Sequence, residues 1–362
     1  MRKIMTFMVA LAFLGTLALP AMAGVSVDGE VKAELLLSSK CEETNKDDVD
    51  GNIQFQNVKA KLNFNGDVAD GVKALVELRT SDVATGVVDS TINDSGFVTA
   101  VNAETKRGIC IRQALIELTN LIPNAALRIG RLRIPFAGSL ESDDSMSNPL
   151  INGDIGFSDA ETVDEGVDCT MNFNDMFSAA LGVFNGPEVY NPAKDQTENN
   201  DKLTFVVRGV GKPIEGLTVT GEYYTSDNTS DSEGAPNDKI NAYEIIGQYQ
   251  VAVLAAKGIY GNNTTDNGTT KPSTSYMGAQ GSYDINEMIW VAGRFVKSTL
   301  DHDDATKEDT ETTEMAIGGG INLAENTKVK VQYQSVKTDN LDGVKGDEKT
   351  ESGVKAEIIT AF

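Results

Sequence analysis

Apolar and polar residues alternate one by one along most of the chain. Val25, Val27, Val31, Ala33 and Leu35 interleave with Ser26, Asp28, Glu30, Lys32 and Glu34. Val72, Ala74, Val76 and Leu78 oppose Lys73, Glu77 and Arg79, and Val329, Val331 and Tyr333 oppose Lys328, Lys330 and Gln332. A period of two puts one set of side chains on each face of an extended strand. The pattern predicts sixteen strands, at 25–36, 53–64, 72–80, 108–118, 126–136, 166–173, 177–184, 202–210, 216–225, 240–249, 251–260, 274–283, 288–298, 313–323, 327–337 and 353–362. No amphipathic helix stands out after residue 23.

The connectors sort by length. Every second one is short: 65–71, 119–125, 174–176, 211–215, 250, 284–287 and 324–326. The others are long and polar: 37–52, 81–107, 137–165, 185–201, 226–239, 261–273, 299–312 and 338–352. A soluble sandwich has no reason to alternate in this way. An antiparallel barrel in a bacterial outer membrane does, with short turns in the periplasm and long loops outside. Val354, Ala356, Ile358, Thr360 and Phe362 share a face, as a closing strand against lipid requires. Aromatic residues near strand ends suggest two belts. Phe64, Phe173, Phe177, Tyr283, Trp290 and Phe362 make the periplasmic one; Phe136, Phe184, Tyr223 and Phe295 make the outer one.

The start of the chain reads differently. Arg2 and Lys3 precede an almost wholly apolar run from Ile4 to Leu19, then Pro20 and Ala21-Met22-Ala23. Those are the parts of a secretory signal peptide, 1–23, cut before Gly24, which leaves 24–362 as one barrel domain. Beyond residue 23 no 18 consecutive residues are apolar, so no helix there would cross a membrane.

Charge narrows the function. There are 31 Lys+Arg against 54 Asp+Glu, net −23. Loss of Arg2 and Lys3 with the leader makes the mature chain net −25. This argues against nucleic acid, whose phosphates need a basic surface. His302 is the only histidine, so motifs that use two are excluded. With no recognisable nucleophile motif beside it, nothing points to an enzyme or a cofactor. Lys46 and Asn57 stand where an EF-hand reading of 47–53 needs its terminal ligands, and no metal site is expected there. Asp301-His302-Asp303-Asp304 reads as a solvated loop. Cys41, Cys110 and Cys169 are too few for a disulfide framework.

One segment carries a family resemblance. Leu127-Arg128-Ile129-Gly130-Arg131-Leu132-Arg133-Ile134-Pro135-Phe136 resembles the "lr-hGq-k-PF" segment of bacterial porins, especially the phosphate-selective porin O/P family. Arg112-Gln113-Ala114-Leu115-Ile116-Glu117-Leu118 fits that family's upstream strand. Gly166-Val167 and Leu181-Gly182-Val183-Phe184-Asn185-Gly186 are similar to its following hairpin, so that the likeness covers about 108–215. The resemblance implies a sixteen-stranded barrel, commonly a homotrimer in outer-membrane lipid, with its third outer loop folded into the lumen. A C-terminal Phe362 also resembles the signal that the outer-membrane assembly machinery reads.

The third long connector, 137–165, holds Glu141, Asp143, Asp144, Asp154, Asp159, Glu161, Asp164 and Glu165 and no basic residue. Arg79, Arg112, Arg128, Arg131, Arg133 and Arg294 lie on polar faces of strands. Arg131 and Arg133 alternate with Leu132 and Ile134, which predicts that both arginines face the lumen. Acids on an inserted loop opposite wall arginines would set up a field across a constriction for small hydrophilic solutes and ions. Acidic outer loops favour cations at the mouth, unlike a phosphate channel. The expectation is a weakly cation-preferring porin. The alternatives are an anion-selective channel and a surface structural or adhesion barrel.

Overall fold

The computed structural model describes residues 24–44, 49–51, 54–82, 107–136, 148–151, 163–185, 189–191, 196–198, 203–227 and 239–362. The predicted leader therefore lies outside the described residues, as does most of the 137–165 connector. Sixteen long strands form the wall. They are β1 (Val25–Glu43), β2 (Gln54–Ala69), β3 (Val72–Asp82), β4 (Arg107–Leu118), β5 (Ala125–Arg133), β6 (Val163–Asn172), β7 (Phe177–Phe184) and β8 (Thr204–Ile214). There follow β9 (Leu217–Asp227), β10 (Lys239–Val251), β11 (Leu254–Asp266), β12 (Ser273–Asp284), β13 (Ile289–Asp301), β14 (Thr310–Ala324), β15 (Thr327–Asp339) and β16 (Glu348–Ala361).

Each strand pairs antiparallel with its neighbour in sequence, and β16 returns to β1 in a register from Glu30↔Ala361 to Glu43↔Lys349. Phe362 continues that ladder, its N–H and C=O both bonded to Gly29 at 3.0 Å. Closure leaves no strand at a free end of the sheet, so backbone groups along the ladders find partners in the sheet. Val49–Gly51 adds a short pairing to the outer end of β1, and Val189–Asn191 with Gln196–Glu198 makes a small hairpin in the β7–β8 connector.

The side-chain alternation follows the closed sheet. Val167, Leu181, Phe205, Tyr243, Ile245, Ile317, Tyr333 and Ile358 are exposed on the outer face. Glu222, Glu244, Gln280, Arg294, Gln332 and Glu357 are buried on the inner one. This is the apolar-out, polar-in order of a barrel in lipid.

Three expectations change. Several strands run past their predicted outer ends, β1 to Glu43 and β11 to Asp266, because their ladders continue where neither face is apolar. Conversely, β5 ends at Arg133, not at 136. Phe136 and Phe184 do not belong to an outer belt, and Trp290 does not belong to a periplasmic one. All three are buried on the inner face, whereas Phe173, Phe177, Tyr283, Phe362, Tyr223 and Phe295 are exposed.

Candidate functional site in the barrel lumen

The inner face of β1–β5 is strongly charged. Glu77 of β3 accepts a hydrogen bond from the Gln113 amide at 2.5 Å, and the Arg79 Nε lies 3.8 Å from its other oxygen. Glu77 pairs with Gln113 and Leu78 with Ile111, so Arg112 is the extra residue of a β-bulge. Ile111 is exposed to the outside, which turns Arg112 inward beside Gln113. Arg128 of β5 holds Asp168 of β6 in a bidentate pair, Nε–Oδ1 2.8 Å and Nη2–Oδ2 2.5 Å. A cavity of about 900 Å³ is lined here by Lys61, Lys73, Glu77, Gln113, Glu117, Arg128 and Arg133, among others.

Arg131 is a correction. It carries the parity of Ile129, which is exposed, and its guanidinium pairs with Glu165 at 3.0 Å on the outer face. Leu132 is the residue that points inward, and it is fully buried. Arg133 does line the lumen although it shares parity with Arg131. Pairing between β4 and β5 stops at Ala114↔Arg131. Beyond that point the Arg133 N–H bonds the Gln113 side-chain oxygen at 3.2 Å, and β5 leaves the β4 edge. Gly130 permits the distortion. Its φ is 131°, and a Cβ there would sit 2.4 Å from the Ala114 carbonyl oxygen.

The chain then turns into the barrel. Leu132, Ile134 and Phe136 pack with Phe184, Val206, Tyr224, Ile240 and Ala242 on the inner faces of β7–β10. Phe136 meets Tyr224 edge to face at 5.7 Å. Such pairs add about 0.5–1.5 kcal/mol beyond the area they bury.

Asn148–Ile151, from the middle of the same connector, lies against the far side. Leu150 packs with Ala292 of β13 and Ala316 of β14. The Trp290 indole N–H donates to the Pro149 carbonyl at 2.9 Å. The Ile151 N–H donates to the Gln332 side-chain oxygen at 2.7 Å, and the Lys330 ammonium lies 3.5 Å from the Leu150 carbonyl. Lys330 also bridges to Glu357 at 2.9 Å, and Lys32 joins Glu357 (3.6 Å) to Glu34 (3.2 Å) across the β16–β1 seam. Beneath this segment is a second hollow of about 1240 Å³, against β8–β15, whose lining includes Gln248, Lys257, Gln280, Ser282, Trp290 and Lys328.

Glu141, Asp143, Asp144 and Asp154 lie outside the described residues. Sequence reasoning missed Trp290, Lys330, Gln332 and the inner apolar patch. The Gly318-Gly319-Gly320 run was an available signal of close approach. A Cβ at 318 would lie 3.1 Å from Leu150 Cδ2, and one at 320 would lie 2.3 Å from the Trp290 ring. Among the described residues no cluster of metal-ligating side chains occurs.

A family model described as "Gram-negative porin" matches residues 9–341. The chain belongs to that family. Several solved porin barrels share the fold. The anion-selective porin of Comamonas acidovorans is 14% identical, with 93% of this chain and 99% of that chain covered and a TM-score of 0.64. The trimer form of the outer-membrane protein OmpT of Vibrio cholerae is 14% identical over 93% and 99%, with a TM-score of 0.60. OprB of Pseudomonas putida is 13% identical over 96% of both chains, also at 0.60. No curated protein matches the chain. The porin is thus an outer-membrane β-barrel channel. Its family match is to the broad group, and the narrower phosphate-selective likeness of residues 108–215 remains a resemblance.

Proposed function

We propose that this porin is a general diffusion channel for small hydrophilic solutes and ions, weakly preferring cations, and narrowed by the 137–165 connector. One observation carries the reading. The connector leaves β5 into the barrel, and its middle, Asn148–Ile151, is bonded to the inner wall of β13–β15. A connector held at that point would cross the lumen opposite the arc of Arg79, Arg112, Arg128 and Arg133. The acids at 141, 143, 144 and 154 would oppose that arc across the narrowest part.

Cation preference is supported by the acidic rim, with Asp301, Asp303, Asp304, Glu308, Asp309 and Glu311 in one loop region. Asp304 is held in its charged form, since the Thr306 N–H and then its hydroxyl lower its carboxyl below the usual range. Fields at the rim reach about 10 Å at 0.1 M salt and ~3 Å at 1 M. In a tenfold KCl gradient across a planar bilayer, the reversal potential should show modest potassium preference at low salt that fades at high salt. Chloride preference would favour the second reading, an anion channel of the phosphate-selective kind, for which Lys61, Lys73, Arg128 and Arg133 in the β1–β5 cavity speak. Wild-type protein that gives no conductance steps would instead support a structural or adhesion barrel.

The same reading includes removal of 1–23 on export, recognition of Phe362 during assembly, and a homotrimer, the form reported for the Vibrio protein. Intact mass of the purified protein should fit a chain beginning at Gly24 and a threefold assembly. A longer chain or a monomer in mild detergent would refute the corresponding point.

A further inference from the structure

A row of polar side chains crosses four adjacent strands on the inner face. Thr218 of β9 stands opposite Gln248 of β10, Gln248 opposite Lys257 of β11, and Lys257 opposite Gln280 of β12. At the spacing of neighbouring strands the row spans roughly 14 Å. On its outer side, toward the long connectors, Ile246, Ile259, Tyr276 and Val296 make a buried apolar cluster on the same face. On its other side are the short connectors, which face the periplasm in such barrels. All four row residues line the hollow of about 1240 Å³. Gln280 is 8% exposed, and among the described residues nothing donates to its Oε1. A buried acceptor left in that state is unfavourable, and a solute that brings a donor relieves the cost. The lining as a whole holds three lysines against three acidic residues, so it has no net charge with which to retain an ion. Most of its other polar groups are amides and hydroxyls. The hydroxyls of a sugar can donate to an amide oxygen and accept from an amide N–H or an ammonium, with no charge of their own. The volume exceeds the 300–1,000 Å³ or so of ordinary ligand pockets, so such a solute fits with water around it.

We propose that the Thr218–Gln248–Lys257–Gln280 row is a saturable binding site for a small neutral polyhydroxylated solute of the sugar class. Gln280 is its buried acceptor, and Lys257 and Thr218 supply donors. The inference rests on the channel reading and deepens it, by naming one class among the small hydrophilic solutes and the part of the wall that holds it.

A pore without a site passes solute at a rate proportional to concentration, whereas a pore with one saturates. The probe is labelled D-glucose, its uptake into proteoliposomes measured against concentration, with D-gluconate as a charged competitor of similar size. Gln280→Met removes the acceptor at similar length, and Thr218→Val removes the hydroxyl at similar shape. In barrels verified by heat-modifiable mobility, wild-type uptake should saturate, and each variant should raise the half-saturating concentration by about fivefold, the loss of one hydrogen bond. Gluconate should compete several-fold less well than unlabelled glucose. Uptake that stays linear in a wild type that conducts KCl overturns the site and leaves the channel reading intact. Saturation that neither variant moves puts the binding elsewhere and overturns the site as well. Gluconate competing as well as glucose overturns the neutral class. A wild type without KCl conductance overturns the channel reading. The site is then decided by the emission of Trp290, the only tryptophan and part of the same lining. A saturable response to glucose that both variants weaken keeps it, and no response overturns it. Should Gln280→Met fail to give a barrel, Thr218→Val decides by the same readouts.

Discussion

At the scale of single residues, hydrophobicity reports burial but not the side on which it occurs. Leu132 and Ile134 are apolar and alternate with arginines, as lipid-facing residues would be. They point inward because, with Phe136, they pack on an apolar patch of the inner wall. Trp290, Phe136 and Phe184 mislead in the same way. Where the inner face carries its own packed segment, composition cannot distinguish it from the face against lipid. Arg128 lies inside, and Asp168, its partner, is 1% exposed. Arg128→Ala would strand that carboxylate within the wall. Removing one partner of a buried pair costs 3–5 kcal/mol, and since the guanidinium is partly open to the lumen the expected loss is about 2–3 kcal/mol. The barrel should unfold at a lower temperature in a gel-shift assay, and Arg128→Ala with Asp168→Asn should recover part of the loss. An unaltered transition in the single variant would mean that Asp168 finds another donor.

At the scale of elements, strand existence was legible and strand length was not. Alternation is forced by lipid on one side and water on the other. Above the hydrocarbon both sides are polar, so segments such as 261–266, Gly-Asn-Asn-Thr-Thr-Asp, lose the signal while their ladders persist in β11. The same limit hid the separation of β5 from β4 after Arg131. That departure gives arginines two residues apart different roles, with Arg131 outside and Arg133 in the cavity. Charge reversal therefore sorts them. Arg79→Glu, Arg112→Glu and Arg133→Glu should each move the reversal potential toward stronger cation preference. Arg131→Glu should leave it unchanged, its effect confined to the pair with Glu165. An equal shift from Arg131→Glu would place that side chain in the pore.

At the scale of the whole molecule, the lumen is completed by parts of the chain made last. The connector follows β5, yet the wall contacts of its Asn148–Ile151 segment belong to β13–β15, and Lys330 is wired through Glu357 and Lys32 to the seam where β16 meets β1. Contacts so distant in sequence carry a large loop-closure cost and tend to form late. Until those strands are in place, the recess for Leu150 and the acceptor for Ile151 do not exist together. Docking must then follow closure of the wall. Phe362 belongs to the closing step, since its main chain adds the last pair of hydrogen bonds to β1. During refolding into detergent micelles, the mobility shift of the closed barrel should therefore appear first. The final blue shift of Trp290 emission should follow as a separate phase, present in wild type and missing in Leu150→Asp. Emission that reaches its end point before the mobility shift would mean that the indole is buried without the closed wall. The order of assembly argued from the seam would then be wrong.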